Sequence, residues 1–216
     1  MEDEDGIFWQ DNWNTVVAVD HDTLKKSLSP LGIQPGYDEF VRYFKERQQV
    51  IRFLHFSPFF REKSGDDQKS EDEHDDLRRV VDRLVYNGFM VIRKDVFPYE
   101  DREGNPRYPR YSTSLDIACE LFDLVDSGNV DHVILIAGDR ELTRVVQTIQ
   151  KKGVHVTAIA QFSPRDSRTL APTISDSLRR QVDGFIGVEQ IAYHWKRVHR
   201  LASPKELPDF ITSNVG

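Results

Sequence analysis

Residues 133–142 read VILIAGDREL, and this stretch decides the fold. A short apolar run bounded by turn residues is typical of a buried strand in a parallel sheet. Here the apolar run leads straight into Gly138 and Asp139, with Glu141 two residues later. In an open parallel sheet the ligand crevice lies beyond the carboxyl ends of the strands, so acids at several strand ends converge on one pocket. The stretch therefore predicts an acidic site at one edge of a parallel sheet.

Strand-like apolar runs alternate with helix-like segments along the rest of the chain. The alternation predicts an α/β fold, with a mostly parallel central sheet flanked by helices on both faces. Ser112 or Thr113 is expected to cap a helix that ends near Asp126. Another predicted helix begins near Asp22 or Thr23, and the remaining predicted helices cover 37–47, 75–87, 140–152, 169–180 and 191–200. The predicted strands cover 15–19, 50–56, 88–96, 132–137, 154–160 and 184–188. The predicted loops cover 61–76 and 99–111.

Length and composition favour one domain with tails. The chain has 216 residues, and we divide it into an acidic segment at 1–13, a domain at 14–188, and a helix and tail at 189–216. Its lone cysteine, Cys119, excludes an internal disulfide and a cysteine-based zinc site. No apolar stretch approaches the ~20 residues that span a bilayer, and the opening MEDEDG lacks the features of a signal peptide. We therefore expect a cytoplasmic protein with no membrane partner.

Several acids could gather at the sheet edge. Asp20 closes the first predicted strand and Asp139 follows the fourth, although either residue alone could equally be a turn former or a helix cap. Asp116 lies in the first turn of a predicted helix, where its charge could also complement the helix dipole. Glu120 and Asp123 follow at the spacing of one helix face, and that stripe could equally be the solvated face.

Carboxylates that crowd together repel one another and raise each other's pKa, so a cluster of them is expected to need a cation. Oxygen ligands of this kind select Mg²⁺ or Mn²⁺, which bind substrate phosphate as well as protein. A metal ion there would orient a water molecule for attack on phosphorus and stabilise the developing charge. The acids therefore predict hydrolysis of a phosphodiester bond.

Four segments extend this interpretation. VVAVDHDTL at 16–24, SLDIACELFDL at 114–124, VILIAGDRELTRVVQTIQKKGVHVTAIA at 133–160 and VDGFIGV at 182–188 occur in this order. Together they resemble the NYN domain family, the LabA-like branch of the PIN-like nucleases, over residues 15–188. The resemblance implies a PIN-like three-layer sandwich in which acids at the strand ends bind Mg²⁺ or Mn²⁺ for ribonuclease activity.

The resemblance also assigns candidate roles to individual residues. Asp20 matches the Asp of the family's first-strand motif, Asp116 its mid-chain Asp, and Asp139 the first Asp of its Ser-Gly-Asp-x-Asp-Phe motif. Glu141 stands where that motif has its second Asp. These matches imply that the four acids are catalytic and bind the metal. Asp183 matches an Asp near the last strand, although a structural cap or turn accounts for it equally well.

The chain departs from the family pattern beside its first acid. His21, Asp22 and Thr23 stand where the family has Gly and Asn, so a small residue and an amide are missing. Glu141 keeps the charge of the usual Asp but adds a methylene, which shifts an oxygen by roughly an ångström against a Mg²⁺ distance of ~2.1 Å. His21 could contact a phosphate or relay a proton, or it could be structural. These changes bear on activity more than on fold.

Basic and aromatic residues cluster at the end of the third predicted strand and in the loop after it. They combine cationic groups for phosphate with rings for stacking unpaired bases, which favours single-stranded RNA over duplex. Because the net charge is −7, any phosphate contacts must be local. The alternative is a solvated loop whose tyrosines pack at its base. The predicted RNA-binding residues are Arg93, Lys94, Arg107, Tyr108, Arg110 and Tyr111.

The function predicted from the sequence is a metal-dependent ribonuclease that hydrolyses single-stranded RNA with Mg²⁺ or Mn²⁺. The alternative is a catalytically weakened domain that binds RNA or protein as a regulatory module. A protein partner or a homodimer is compatible with both interpretations.

Overall fold

The computed structural model describes residue 9 and residues 12–61, 79–162 and 173–196. Six strands in these ranges form one parallel sheet in the order β3-β2-β1-β6-β7-β8, and the other two form a short antiparallel hairpin inside the predicted loop 99–111. The strands in chain order are β1 (Asn14–Asp20), β2 (Gln49–Phe60), β3 (Phe89–Val96), β4 (Tyr99–Glu100), β5 (Pro106–Arg107), β6 (His132–Ile136), β7 (His155–Ala160) and β8 (Gly184–Gly187).

Helices cover both faces of the parallel sheet. Alternate residues of β1 face opposite sides, so that Val17 and Val19 pack in one hydrophobic core while Val16 and Ala18 pack in the other. The predicted three-layer α/β sandwich is therefore confirmed. The helices are α1 (His21–Leu28), α2 (Tyr37–Lys45), α3 (79–86, as far as it is described), α4 (Ser114–Asp126), α5 (Leu142–Gln150), α6 (Asp176–Gln181) and α7 (Val188–Ile191), with 3-10 helices at Ser29–Leu31 and Ala192–Trp195.

In the described ranges, none of these helices combines the length and the apolar character needed to cross a bilayer.

The parallel strands all end at the same edge of the sheet, which we call the carboxyl edge. β1 and β6 are neighbours in the middle of the sheet, with Val19 paired to Ile136. Asp20 is the last residue of β1, and Asp139 follows shortly after β6. Since neighbouring strands lie ~4.8 Å apart, the sheet itself brings these two acids to adjacent positions.

The segment after β8 differs from the predicted helix over 191–200. In its described part, α7 gives way to a tighter 3-10 helix that directs Trp195 into the core. The Trp195 ring is fully buried, with its centroid 4.9 Å from that of Phe40 and 5.8 Å from that of Phe44. The segment 189–216, predicted as a helix and tail outside the domain, therefore begins with residues of the core.

Parts of several predictions lie outside the described residues. These are most of the acidic segment 1–13, most of the loop 61–76, the start of the helix 75–87, residues 169–172 of the helix 169–180 and the tail beyond residue 196. In the described part of the range 169–180, the helix begins only at Asp176, with Ser175 as its N-cap.

A buried polar network lies at the opposite, amino edge of the sheet. His132 places Nδ1 3.1 Å from Gln48 Oε1 and Nε2 2.8 Å from Thr157 Oγ1. Thr15 donates its hydroxyl to the same Gln48 oxygen at 2.7 Å. Burial, with a smaller contribution from the neighbouring His155, lowers the pKa of His132 to about 4.

This pKa makes the stability of the fold depend on pH. Because the folded pKa of His132 lies below its ordinary value of 6.5, the unfolded chain binds more protons than the folded chain between about pH 6.5 and 4. The contribution of His132 is present above this window and is lost as the pH falls through it. Between pH 7 and pH 5 we expect the free energy of unfolding to fall by roughly 2 kcal/mol more in the wild type than in His132→Gln. Urea denaturation of both chains at the two pH values measures this difference, and equal losses would contradict it.

Candidate functional site

Residues 111–116, which read YSTSLD, cross the carboxyl edge and contact acids from two strands. The Thr113 hydroxyl donates a hydrogen bond of 2.9 Å to Oδ1 of Asp20. The Ser114 hydroxyl donates one of 2.9 Å to Oδ2 of Asp139, and the Ser112 hydroxyl donates a longer one of 3.2 Å to the same oxygen. Two acids predicted from separate strand ends are therefore linked to consecutive residues at the start of α4.

Asp20 is also a helix cap, which is the alternative role considered for it from the sequence. It is the N-cap of α1, because its Oδ2 accepts hydrogen bonds from the backbone N–H of Thr23 at 2.9 Å and from the Thr23 hydroxyl at 2.6 Å. Asp20 therefore caps one helix with one oxygen and binds the start of another helix with the other. The residue at position 23, where the family has a different side chain, contributes to holding this acid.

Asp116 lies in the first turn of α4 and forms an ion pair with Lys94. The distance from Lys94 Nζ to Asp116 Oδ2 is 3.1 Å, and the two side chains are 34% and 27% exposed. The same Asp116 oxygen is buried and accepts no hydrogen bond. The ion pair lacks hydrogen-bond geometry, so the attraction between Lys94 and this oxygen is electrostatic.

Three of the remaining predicted acids lie on α4 or at the start of α5, and the fourth lies at the amino edge of the sheet. Glu141 is exposed beside the start of α5, while Glu120 and Asp123 lie further along α4, half-buried and exposed respectively. Asp183 does not join them, because it precedes β8 and therefore lies at the amino edge of the sheet. There its Oδ2 accepts the backbone N–H of Val156 at 2.8 Å, as expected of a structural turn.

The arrangement departs from the expectation that the acids form one ligand cluster. Across the described ranges, no group of three or more His, Cys, Asp or Glu side chains is placed so that it could hold a metal ion. Mg²⁺ is nevertheless commonly bound by one or two carboxylates together with water and phosphate oxygens. The donor chemistry of Asp116 and Asp139, and the unsatisfied oxygen of Asp116, fit a hard divalent cation held in that way.

Gly138 allows the backbone of residues 173–175 to pack closely beside Asp139. A Cβ atom at position 138 would lie 1.6 Å from the carbonyl oxygen of Thr173 and 3.0 Å from Cα of Ile174. The Gly138 carbonyl accepts the backbone N–H of Ser175 at 2.9 Å. The segment before α6 therefore packs directly on the backbone beside Asp139, and only glycine fits there.

The contacts of His21 support the structural interpretation of this residue. Its ring packs edge-on against His55, with 5.4 Å between centroids. Burial lowers the pKa of both histidines, that of His55 to about 3, so both rings are neutral at neutral pH.

The two predicted tyrosines pack at the base of their loop. Tyr108 and Tyr111 contact the Phe60 ring, with centroids 5.0 and 5.7 Å away. The Tyr108 hydroxyl donates to the carbonyl of Arg61 at 3.2 Å, and the Tyr111 hydroxyl donates to Asp22 Oδ2 at 2.6 Å. Burial and the Asp22 carboxylate raise the pKa of Tyr111. Tyr111 therefore positions the segment 111–116, whereas Tyr108 keeps an exposed ring face.

The predicted cations are only partly free for phosphate. Lys94 is paired with Asp116, and Arg107 pairs with Asp101 at 3.0 Å. Arg93 lies over the Phe59 ring at 5.6 Å, and Arg110 is exposed.

Further surface residues beside these cations escaped the sequence prediction. Arg61 stacks on Phe59 at 4.9 Å and binds Asp95 with two nitrogens, each at 3.1 Å. Phe97 and Tyr99 follow the end of β3 and are 64% and 55% exposed. The sequence indication of these rings is their position at the start of the predicted loop 99–111, where Phe97 precedes the loop and Tyr99 is its first residue.

Comparison with known proteins identifies the family. The NYN domain model matches residues 14–189, and the chain therefore belongs to the NYN domain family of the PIN-like nuclease superfamily. No curated protein matches the chain.

One solved structure has a similar fold. A crystal structure of a protein of unknown function from Vibrio parahaemolyticus is similar over 84% of this chain and 96% of that one, with 19% identity and a TM-score of 0.51. A second structure, of a protein called Sa239, is aligned over 82% of this chain and 61% of that one, with 13% identity and a TM-score of 0.37. The first likeness agrees with the three-layer sandwich.

The close contact at Gly138 can be tested through stability. Gly138→Ala must displace the backbone of residues 173–174, and overpacking of this kind costs about 3 kcal/mol. Gly153→Ala is the control, because a Cβ there meets open space and only the left-handed backbone, with φ of 84°, is strained, at about 1 kcal/mol. Urea denaturation is expected to show the larger loss for Gly138→Ala. A loss no larger than that of the control would mean that the contact is not rigid.

Proposed function

We propose that this protein is a divalent-cation-dependent ribonuclease that cleaves single-stranded RNA in the cytoplasm. Its family is one of nucleases. The observation that carries the proposal is the joining of Asp20 and Asp139, from the ends of neighbouring strands, to adjacent residues at the start of α4. Asp116 lies in the first turn of the same helix.

The proposed roles follow from the contacts of each acid. Asp139 and Asp116 would hold the cation, since one oxygen of Asp116 is buried without a hydrogen bond. Asp20, whose two oxygens already accept hydrogen bonds, would orient the start of α4 and complete the ligand set through water. Glu141 is exposed beside Asp139 and would position the attacking water. When bound, the cation would supply charge neutralisation for phosphate and activation of that water.

Lys94 would serve both the resting protein and the substrate complex. Its ammonium group lies 3.1 Å from the Asp116 carboxylate and neutralises its charge. A bound divalent cation would replace the ammonium group as the partner of this carboxylate. The ammonium group would then be available to a phosphate of the RNA. This role reconciles its predicted RNA contact with the ion pair that the structure contains.

Single-stranded RNA is the substrate that the neighbouring surface supports. Arg93 and Arg110 offer exposed guanidinium groups for phosphate, and Phe97 and Tyr99, which follow the end of β3, offer exposed rings. Unpaired bases can stack on such rings, whereas paired bases in a duplex cannot reach them. The net charge of −7 makes binding depend on this local surface.

A second candidate function is an RNA- or protein-binding module without catalysis. It is favoured by the ion pair of Asp116 with Lys94 and by the lack of a three-ligand group in the part of the chain that the structure describes. In this case the altered residues at positions 21–23 would mark the loss of a metal site while the binding surface is kept.

The two functions can be separated with labelled RNA. We expect the wild type to cleave single-stranded RNA faster than the matching duplex in Mn²⁺, and EDTA to abolish cleavage. Asp139→Asn keeps the shape of the side chain but removes its charge, and we expect it to slow cleavage by at least about 100-fold. Asp123→Asn, which changes an exposed acid in the second half of α4, is the matched control and should retain the wild-type rate. Binding of RNA by the wild type without metal-dependent cleavage would favour the second candidate.

A further inference from the structure

Three consecutive hydroxyl side chains begin α4, and all three bind acids of the carboxyl edge. Thr113 donates to Asp20, while Ser112 and Ser114 donate to Asp139. Thr113 and Ser114 are buried, with exposed fractions of 5% and 4%. Buried hydroxyls need hydrogen-bond partners, and here the partners are carboxylates from two neighbouring strands.

Helix capping does not account for Thr113. It occupies the N-cap of α4, where a threonine side chain ordinarily accepts a backbone N–H of the first turn. The Thr113 side chain forms no such bond, and its hydroxyl is directed at Asp20 instead. The local capping role falls to Ser112, whose hydroxyl oxygen accepts the N–H of Ser114 at 3.1 Å.

Attachment of α4 to the sheet does not require these bonds either. The helix packs Ile117, Leu121 and Val125 into the core beneath it. Apolar burial of three such side chains is the main stabilising contribution for a surface helix. The hydroxyls therefore orient the acids, whereas apolar packing holds the helix on the sheet.

We propose that Thr113 and Ser114 are positioning residues: Thr113 orients Asp20, which would contact a divalent cation through water, and Ser114 orients Asp139, which would bind that cation directly. This inference rests on the proposed metal-dependent function. Thr113 fixes one oxygen of Asp20 while Thr23 fixes the other. Ser114 fixes Oδ2 of Asp139, and Ser112 adds a longer hydrogen bond to the same oxygen. Removal of a residue that orients a metal ligand through a hydrogen bond typically weakens metal binding.

Titration of MnCl₂ into the full chain, followed by isothermal calorimetry, tests the inference. Thr113→Val keeps the shape of the side chain and removes the hydroxyl, and we expect Mn²⁺ affinity to fall about tenfold or more. Thr113→Ser restores the hydroxyl and should restore the wild-type affinity. Ser114→Ala removes the bond to Asp139 and should also weaken binding, which provides a second test if Thr113→Val does not fold. Thr157→Val is the matched control, since it removes another buried threonine hydroxyl at the amino edge.

The outcomes separate this inference from the proposed function. A purely structural role of the hydroxyls predicts that Thr113→Val and Thr157→Val lower the melting temperature and leave Mn²⁺ affinity unchanged, and that result would overturn the inference alone. A wild type that shows no saturable Mn²⁺ binding would overturn the metal-dependent function and the inference together. Weaker binding in Thr113→Val and Ser114→Ala, with unchanged binding in Thr157→Val and Thr113→Ser, supports the inference.

Discussion

The hydrogen bonds from Thr113 to Asp20 and from Ser114 to Asp139 are the interactions on which the candidate site depends. The parallel sheet brings the ends of β1 and β6 to neighbouring positions, but it does not orient the side chains that follow them. The start of α4 supplies that orientation from the side. It also carries Asp116 in its first turn, so one short segment connects three acids that are far apart in sequence.

The three carboxylates can lie near one another because each has its own hydrogen-bond donor or cationic partner. Asp20 accepts from Thr23 and Thr113, and Asp116 faces the ammonium group of Lys94. Asp139 is solvent-exposed and accepts two hydroxyls. Repulsion between crowded carboxylates was the reason to expect a cation, yet separate donors reduce that repulsion in the folded chain. A cation would then bind through one or two of these carboxylates, in competition with Lys94, rather than be required for folding.

The sequence predicted the features that follow from local periodicity and strand ends. The parallel sheet and the positions of Asp20 and Asp139 at one edge are of this kind, because an acid directly after a buried strand must lie at its carboxyl end. By the same reasoning Asp183, which precedes β8, belongs to the amino edge. The pairing of Lys94 with Asp116 and the approach of Thr173 to Gly138 join distant segments. Such contacts depend on tertiary packing and leave no periodic pattern in the sequence.

Anomalous scattering from Mn²⁺ in crystals of the full chain tests the central claim most directly, because it locates the ion and the acids in one experiment. The account predicts an anomalous peak at the carboxyl edge, within coordination distance of the Asp139 or Asp116 carboxylate, with the hydrogen bond between Thr113 and Asp20 retained. Crystals saturated with Mn²⁺ that show no peak at this edge, or that show Asp20, Asp116 and Asp139 facing separate surfaces, would contradict it.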